Sequence, residues 1–261
     1  MSTRRAKPVT LYNLIFPKPE VDQQRDTSMP EPRRIIVFSL VLLLAGAFYF
    51  LTAHFQLQNY LIMRPVPRQP LKIEKLVVNH DRDKDGVPDL DDIVAGARKE
   101  VQANVSYRSA YYQGGYPPED EGVCTDLIWR ALKNAGYDLK AMMDEDIKKH
   151  VRDYPRVNGR PDPNIDFRRV QNQVVFFQKY AENLTTQIKP GDPENLRQWQ
   201  GGDIVAFGWP FEHIGIVSDR RRPDGVPLLI HNAGPYPREE DRLLTWPSKI
   251  THHFRYTIPD R

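Results

Sequence analysis

Three hydrophobic patterns follow one another along the chain. From Ile35 to Leu51 the residues are uninterruptedly apolar except for Ser39. With Thr52 to Phe55 added, that run is long enough for a helix to cross a bilayer core. Further on, apolar residues recur at helical spacing. Ile93, Ala97 and Val101 share one face, and Leu127, Ile128, Ala131, Leu132 and Ala135 share another before a stop at Gly136. Val170, Val174, Phe177 and Ala181 mark a third helix, expected over 168–183, with another over 140–151. After Gly202 the period shortens to that of strands: 202–207, 211–217 and, beyond a turn at Pro223-Asp224-Gly225, 228–232. These periods predict an α+β domain, helices packed on a small antiparallel sheet, preceded by one transmembrane helix.

Charge orients the apolar run. Arg33 and Arg34 stand directly before it, and no Lys or Arg follows until Arg64. The amino terminus is therefore expected in the cytoplasm and everything after the helix outside, in a periplasmic or other extracytoplasmic space. A cleaved signal peptide fits less well, because Ala45-Gly46-Ala47 lies inside the apolar run instead of after it. The expected organisation is a cytoplasmic tail (1–34), an anchor (35–53), an extended stalk with Pro65, Pro67 and Pro70 (54–80), an acidic loop (81–92) and a soluble domain (93–261). A net charge of +3 over 261 residues argues against nucleic acid as a partner. One cysteine excludes an intramolecular disulfide.

Residues 81–92 read Asp-Arg-Asp-Lys-Asp-Gly-Val-Pro-Asp-Leu-Asp-Asp. Oxygen ligands at alternate positions, then a glycine for a sharp turn, are what a wrapped calcium loop requires. Asp81, Asp83 and Asp85 would supply side-chain oxygens, Val87 its carbonyl, Asp89 a direct or water-mediated contact, and Asp92 the closing carboxylate. The stretch resembles the calcium loops of thrombospondin type 3 repeats and, more distantly, of EF-hands. It departs from the latter in Pro88 and in Asp92, which stands in place of a glutamate. The plainer reading is an acidic turn favouring the helix dipole that follows.

Cys124 falls in the first turn of an amphipathic helix, where unpaired N–H groups and the dipole favour a thiolate. A base must come from elsewhere. Alternation along 211–217 puts His213, Gly215 and Val217 on one face, and Gly215 leaves room beside His213 for another element. The next strand offers His231 or Asn232 to orient that imidazole. Cys124, His213 and His231 could otherwise ligate zinc with one position open, although no C-x-x-C or H-E-x-x-H spacing is present. His252 and His253 point to opposite faces of the last strand and read as structural; Asp203 reads as a tie for a loop or strand end.

Five blocks in order (Gly122 to Asp126, Arg160 to Asp166, Gly202 to Val205, His213 to Asp219 and His231 to Gly234) resemble the domain-of-unknown-function 1287 family. That family is similar to the NlpC-type branch of the papain-like superfamily of cysteine peptidases and amidases. The resemblance runs from about Ile93 to Tyr256 and implies a papain-like fold with Cys124 as nucleophile, His213 as base and His231 as its orienting partner. It also implies a tyrosine near the oxyanion, for which Tyr107 is the candidate and Tyr111 the substitute. Asp126 and Asn232 are the candidates for substrate contact. Val123 before the cysteine and Thr125-Asp126 after it depart from the Asp and Ser-Gly of NlpC-type peptidases, so stem-peptide specificity does not carry over.

The sequence thus leads to a membrane-anchored extracytoplasmic cysteine hydrolase cleaving an amide or peptide bond in cell-wall peptidoglycan. It carries structural calcium, has no organic cofactor and names no protein partner. Two other classes fit the same residues: a thiol acyltransferase or esterase acting on lipid, and a non-catalytic wall-binding or assembly module stabilised by calcium.

Overall fold

The structure, a computed structural model, describes residues 36, 39–40, 42–52 and 69–257. The chain divides into two units, Met1–Pro65 and Val66–Arg261. In the first, the described positions of the apolar run are helical, with exposed side chains. Among the described residues no helix is long and apolar enough to cross a membrane. The tail, part of the expected anchor and most of the expected stalk lie outside the described residues.

In the second unit, α1 (Asp89–Gln102), α2 (Cys124–Asn134), α3 (Leu139–Lys149), α4 (Val170–Tyr180) and the short α5 (Pro193–Leu196) accompany two sheets. β1 (Ser106–Tyr107) and β2 (Glu121–Gly122) form a small parallel pair. β3 (Glu182–Asn183), β4 (Ile204–Phe207), β5 (His213–Arg221), β6 (Pro227–His231), β7 (Arg238–Glu240) and β8 (Ile250–Arg255) form a six-stranded sheet of order β3-β8-β4-β5-β6-β7. Every neighbouring pair in it is antiparallel.

The alternation read from the sequence sorts the two faces of this sheet. Ile204, Ala206, Ile214, Ile216, Ile230 and Phe254 pack with the apolar stripes of α1, α2 and α4 in the main core. Val205, Phe207, Val217 and Leu229 turn the other way, onto Trp199 and Leu243. Both faces are covered, which is why β4 is buried at every position. The expected α+β architecture is present.

Several boundaries differ from the sequence reading, each for a local reason. Helix α1 starts at Asp89, inside the stretch expected as an acidic loop, with Pro88 at its N-cap and three first-turn aspartates favouring its dipole. The helix expected over 140–151 ends at Lys149 and tightens into a 3₁₀ turn at Val151–Asp153. The helix expected to reach Asn183 stops at Tyr180, because Glu182 and Asn183 pair with β8 as a strand. The expected stalk joins the domain early. The Leu71 N–H donates to Pro223 O (2.9 Å), that of Leu76 to Gln200 Oε1 (3.0 Å), and Val78 packs on the main core.

Candidate active site

Helix α2 delivers its first residue, Cys124, to the start of β5. Its N-terminus is fixed by Asp126, whose Oδ2 accepts the Val123 N–H at 2.8 Å. The same carboxylate accepts Trp129 Nε1 at 2.9 Å and a two-pronged contact from Arg168, Nε at 2.6 Å and Nη2 at 2.7 Å. Arg168 sits in a 3₁₀ turn, Asp166–Arg168, and also donates to Ala110 O. Asp126 is fully buried, so the expectation that it touches substrate is corrected: it is an internal tie that anchors helix α2.

The Cys124 side chain is only 8% exposed. Burial pushes its thiol up to about 12, and the backbone N–H groups of Ile214, Thr125 and Cys124 itself pull the other way without overcoming it. Desolvation thus opposes the thiolate that the helix N-terminus favours. His213 opens β5 and is buried against Trp246, ring centroids 4.2 Å apart and nearly parallel. Burial first, then His231 and Arg242, lowers its imidazole to about 3. The resting groups are thus a neutral thiol and a neutral imidazole.

His213 Nε2 lies 2.7 Å from His231 Nδ1, and His231 Nε2 lies 3.1 Å from Glu240 Oε1. A carboxylate only accepts, so with Glu240 ionised His231 carries its proton on Nε2 and presents a bare Nδ1. His213 must then donate from Nε2, which leaves its Nδ1 lone pair free to take a proton. Room for this contact comes from Gly215, where a Cβ would stand 3.1 Å from His231 Cβ and 2.8 Å from Leu229 Cδ1. Glu240 escaped the sequence reading because β7 is three charged residues with no apolar alternation.

Tyr107 is half-exposed, and its hydroxyl is raised by burial and then by the charges of Cys124 and Asp126. Its place is set by the β1–β2 pairing, Tyr107 opposite Gly122, and by its N–H to Pro235 O (2.9 Å). Tyr111 is committed elsewhere: its hydroxyl donates to Asp162 and accepts Asn164 Nδ2. Asn232 is buried, donating to Gly122 O (3.2 Å) and accepting the Gly234 N–H. It braces the segment just before Cys124, which corrects its expected contact with substrate. A cleft of about 570 Å³ opens beside His213, lined by Tyr107, Arg156, Gln171, Trp209, Phe211 and Trp246 among others. Trp209 is 85% exposed at its rim.

Of the two histidines on β8, His252 Nε2 lies 2.9 Å from Gln178 Nε2 near the surface. His253 is buried between Asp203 Oδ2 (3.0 Å) and Thr185 O (2.8 Å), stacked on Trp199. Asp203 also receives Arg255 and the Gln200 N–H. On the far side of α1, Asp81, Asp83 and Asp85 each bring one oxygen within 4.8 Å of the others. Asp89 turns inward to His80 Nδ1 (2.6 Å), the Tyr137 hydroxyl and the Arg82 N–H (2.8 Å).

Two known proteins align over most of this unit. An N-acetylmuramoyl-L-alanine amidase from Bacteroides uniformis ATCC 8492 superimposes over 66% of this chain and 99% of its own, at 14% identity and a TM-score of 0.36. The uncharacterized protein YijF of Escherichia coli (strain K12) is 38% identical over 176 residues, 64% of this chain and 81% of its own length. The model of the domain of unknown function DUF1287 matches residues 94–256, spanning both sheets and every residue of the Cys124–His213–His231 constellation, and the chain belongs to that family.

Proposed function

We propose that the protein is a cysteine hydrolase that cleaves an amide or peptide bond, with cell-wall peptide as its substrate class. The observation that carries this reading is the Glu240–His231–His213 relay, which leaves the Nδ1 lone pair of His213 free at the start of the strand whose next residue, Ile214, gives its N–H to Cys124. Nothing in the packing of the sheet calls for two hydrogen-bonded buried histidines, and burying them neutral opposes folding at acid pH.

In this reading His213 Nδ1 takes the thiol proton as Sγ of Cys124 attacks the carbonyl carbon. The Cys124 N–H and the Tyr107 hydroxyl hold the oxyanion. Collapse expels the amine, which receives the proton back from His213. Water, deprotonated by His213, then opens the thioester, releasing the acid and restoring the thiol. Because both groups rest neutral, the proton moves with the attack and no ion pair is preformed. The cleft, with exposed Trp209 and Phe211 beside Arg156 and Gln171, suits a substrate presenting both flat apolar and polar groups.

The proposal includes membrane attachment by the run Ile35 to Leu51, with the amino terminus cytoplasmic and the domain outside. The uncharged apolar run and the two arginines directly before it support that placement.

A second reading, a non-catalytic wall-binding module, is favoured by the depth at which Cys124 lies and by its raised thiol. Iodoacetamide labelling of the folded protein at neutral pH separates the two. The hydrolase reading expects Cys124 to react in wild type and at least about tenfold more slowly in His213→Ala. Equal rates in both, limited by unfolding, would instead support the binding module.

A further inference from the structure

We propose that Asp81, Asp83, Asp85 and Asp92 bind one calcium ion, which fastens the start of α1 to the end of the nucleophile helix α2. The acidic triplet is a gathering of oxygens already in place. Asp81 accepts the Gly86 N–H at 2.8 Å and the Asp85 N–H at 3.2 Å, while Asp85 accepts the Val87 N–H at 2.8 Å. Wrapping the backbone in this way turns the remaining lone pairs toward a common centre.

The independent observation is Asp92, eleven residues after Asp81. It is 6% exposed, and its Oδ2 is buried with no hydrogen-bond partner among the described residues. Its other oxygen has only a long contact from Asn134 Nδ2, at 3.4 Å. It stands beside Asn134, two residues from the Gly136 against which Asp83 of the loop packs. A buried carboxylate oxygen without a donor is costly, and a cation is what relieves it.

No Lys, Arg or His forms an ion pair with any of these four carboxylates among the described residues. Arg82, one of two basic residues inside the loop, sends its Nε to Gly136 O at 3.2 Å and its guanidinium over the Tyr137 ring. Asp89 is not counted as a ligand, because both its oxygens are held within the protein. Carboxylates of this number and loop type select a hard cation, and the flexible loop suits calcium better than the strict octahedron of magnesium.

The site bears on the fold through two contacts. Asn134 Nδ2 donates to Asp92 O at 2.8 Å from the last turn of α2. Gly136, in the left-handed region at φ +75°, lets Asp83 approach to a point where a Cβ would stand 2.9 Å away. Filling the loop therefore stiffens the far end of the helix that carries Cys124.

This inference does not depend on the hydrolase reading, and its test does not use activity. Calcium and magnesium are titrated calorimetrically into full-length, chelator-treated protein in detergent, wild type beside Asp83→Asn and Asp92→Asn. Thermal unfolding is recorded for each with and without calcium. The expected result is one calcium per chain, magnesium weaker by about tenfold or more, and calcium affinity reduced roughly hundredfold in both variants. Asp83 is exposed, so its variant keeps the test sound should Asp92→Asn fold poorly. Absence of both heat and a melting shift in folded wild type at millimolar calcium would overturn it. So would wild-type affinity in folded Asp83→Asn.

Discussion

Glu240 is the residue whose removal should disturb the site without touching the sulfur. Its carboxylate raises the His231 imidazole against the lowering effect of burial, and it selects the tautomer passed on to His213. Glu240→Ala removes an anion, so protonated His231 loses support and the acid limb of the pH–rate profile moves to lower pH. The rate constant kcat is expected to fall about tenfold as the tautomer is lost, with KM little changed. Glu240→Gln, whose amide oxygen still accepts, should restore part of kcat. A purely structural Glu240 would lower stability and leave the profile in place. At this scale the sequence placed Cys124 at a helix start and His213 and His231 on adjacent strands, because helix onset and strand alternation are local patterns. It missed Glu240, and it gave Asp126 and Asn232 a substrate role, because their real partners (Arg168 and Gly122) are set by tertiary contact at long range in the chain.

Helix α2 is held at its two ends by different means. At the amino end the buried Asp126–Arg168 pair joins it to the 3₁₀ turn at Asp166–Arg168. Asp126→Ala leaves a guanidinium without its counter-charge in the interior, and a loss of about 3–5 kcal/mol is expected in urea unfolding. The double variant Asp126→Ala/Arg168→Met should recover a good part of that loss. Additive losses would mean that the pair is not coupled as the geometry indicates. At the element level, helices with sustained apolar spacing were read within a few residues, and strands β4, β5 and β6 emerged from their periods. Strands β3 and β7 did not. They are two and three polar residues long, and they exist because a neighbouring edge supplies their hydrogen bonds.

Within the second unit, helices α1 to α4 pack on one face of the sheet and the Trp199–Leu243 layer on the other, and the start of β5 brings helix α2, strand β6 and the cleft together. The family's match over 94–256 covers this convergence, while the acidic loop and the segment from Leu71 brace it from outside that span. The central claim is that Cys124 performs acyl transfer on cell-wall peptide. Its most direct test is mass spectrometry of purified peptidoglycan after incubation with the full-length protein in detergent, wild type against Cys124→Ala. The account predicts new cleaved muropeptides with wild type alone, each carrying one added water at a single amide bond. Unchanged muropeptides with folded wild type, or the same products with Cys124→Ala, would contradict it.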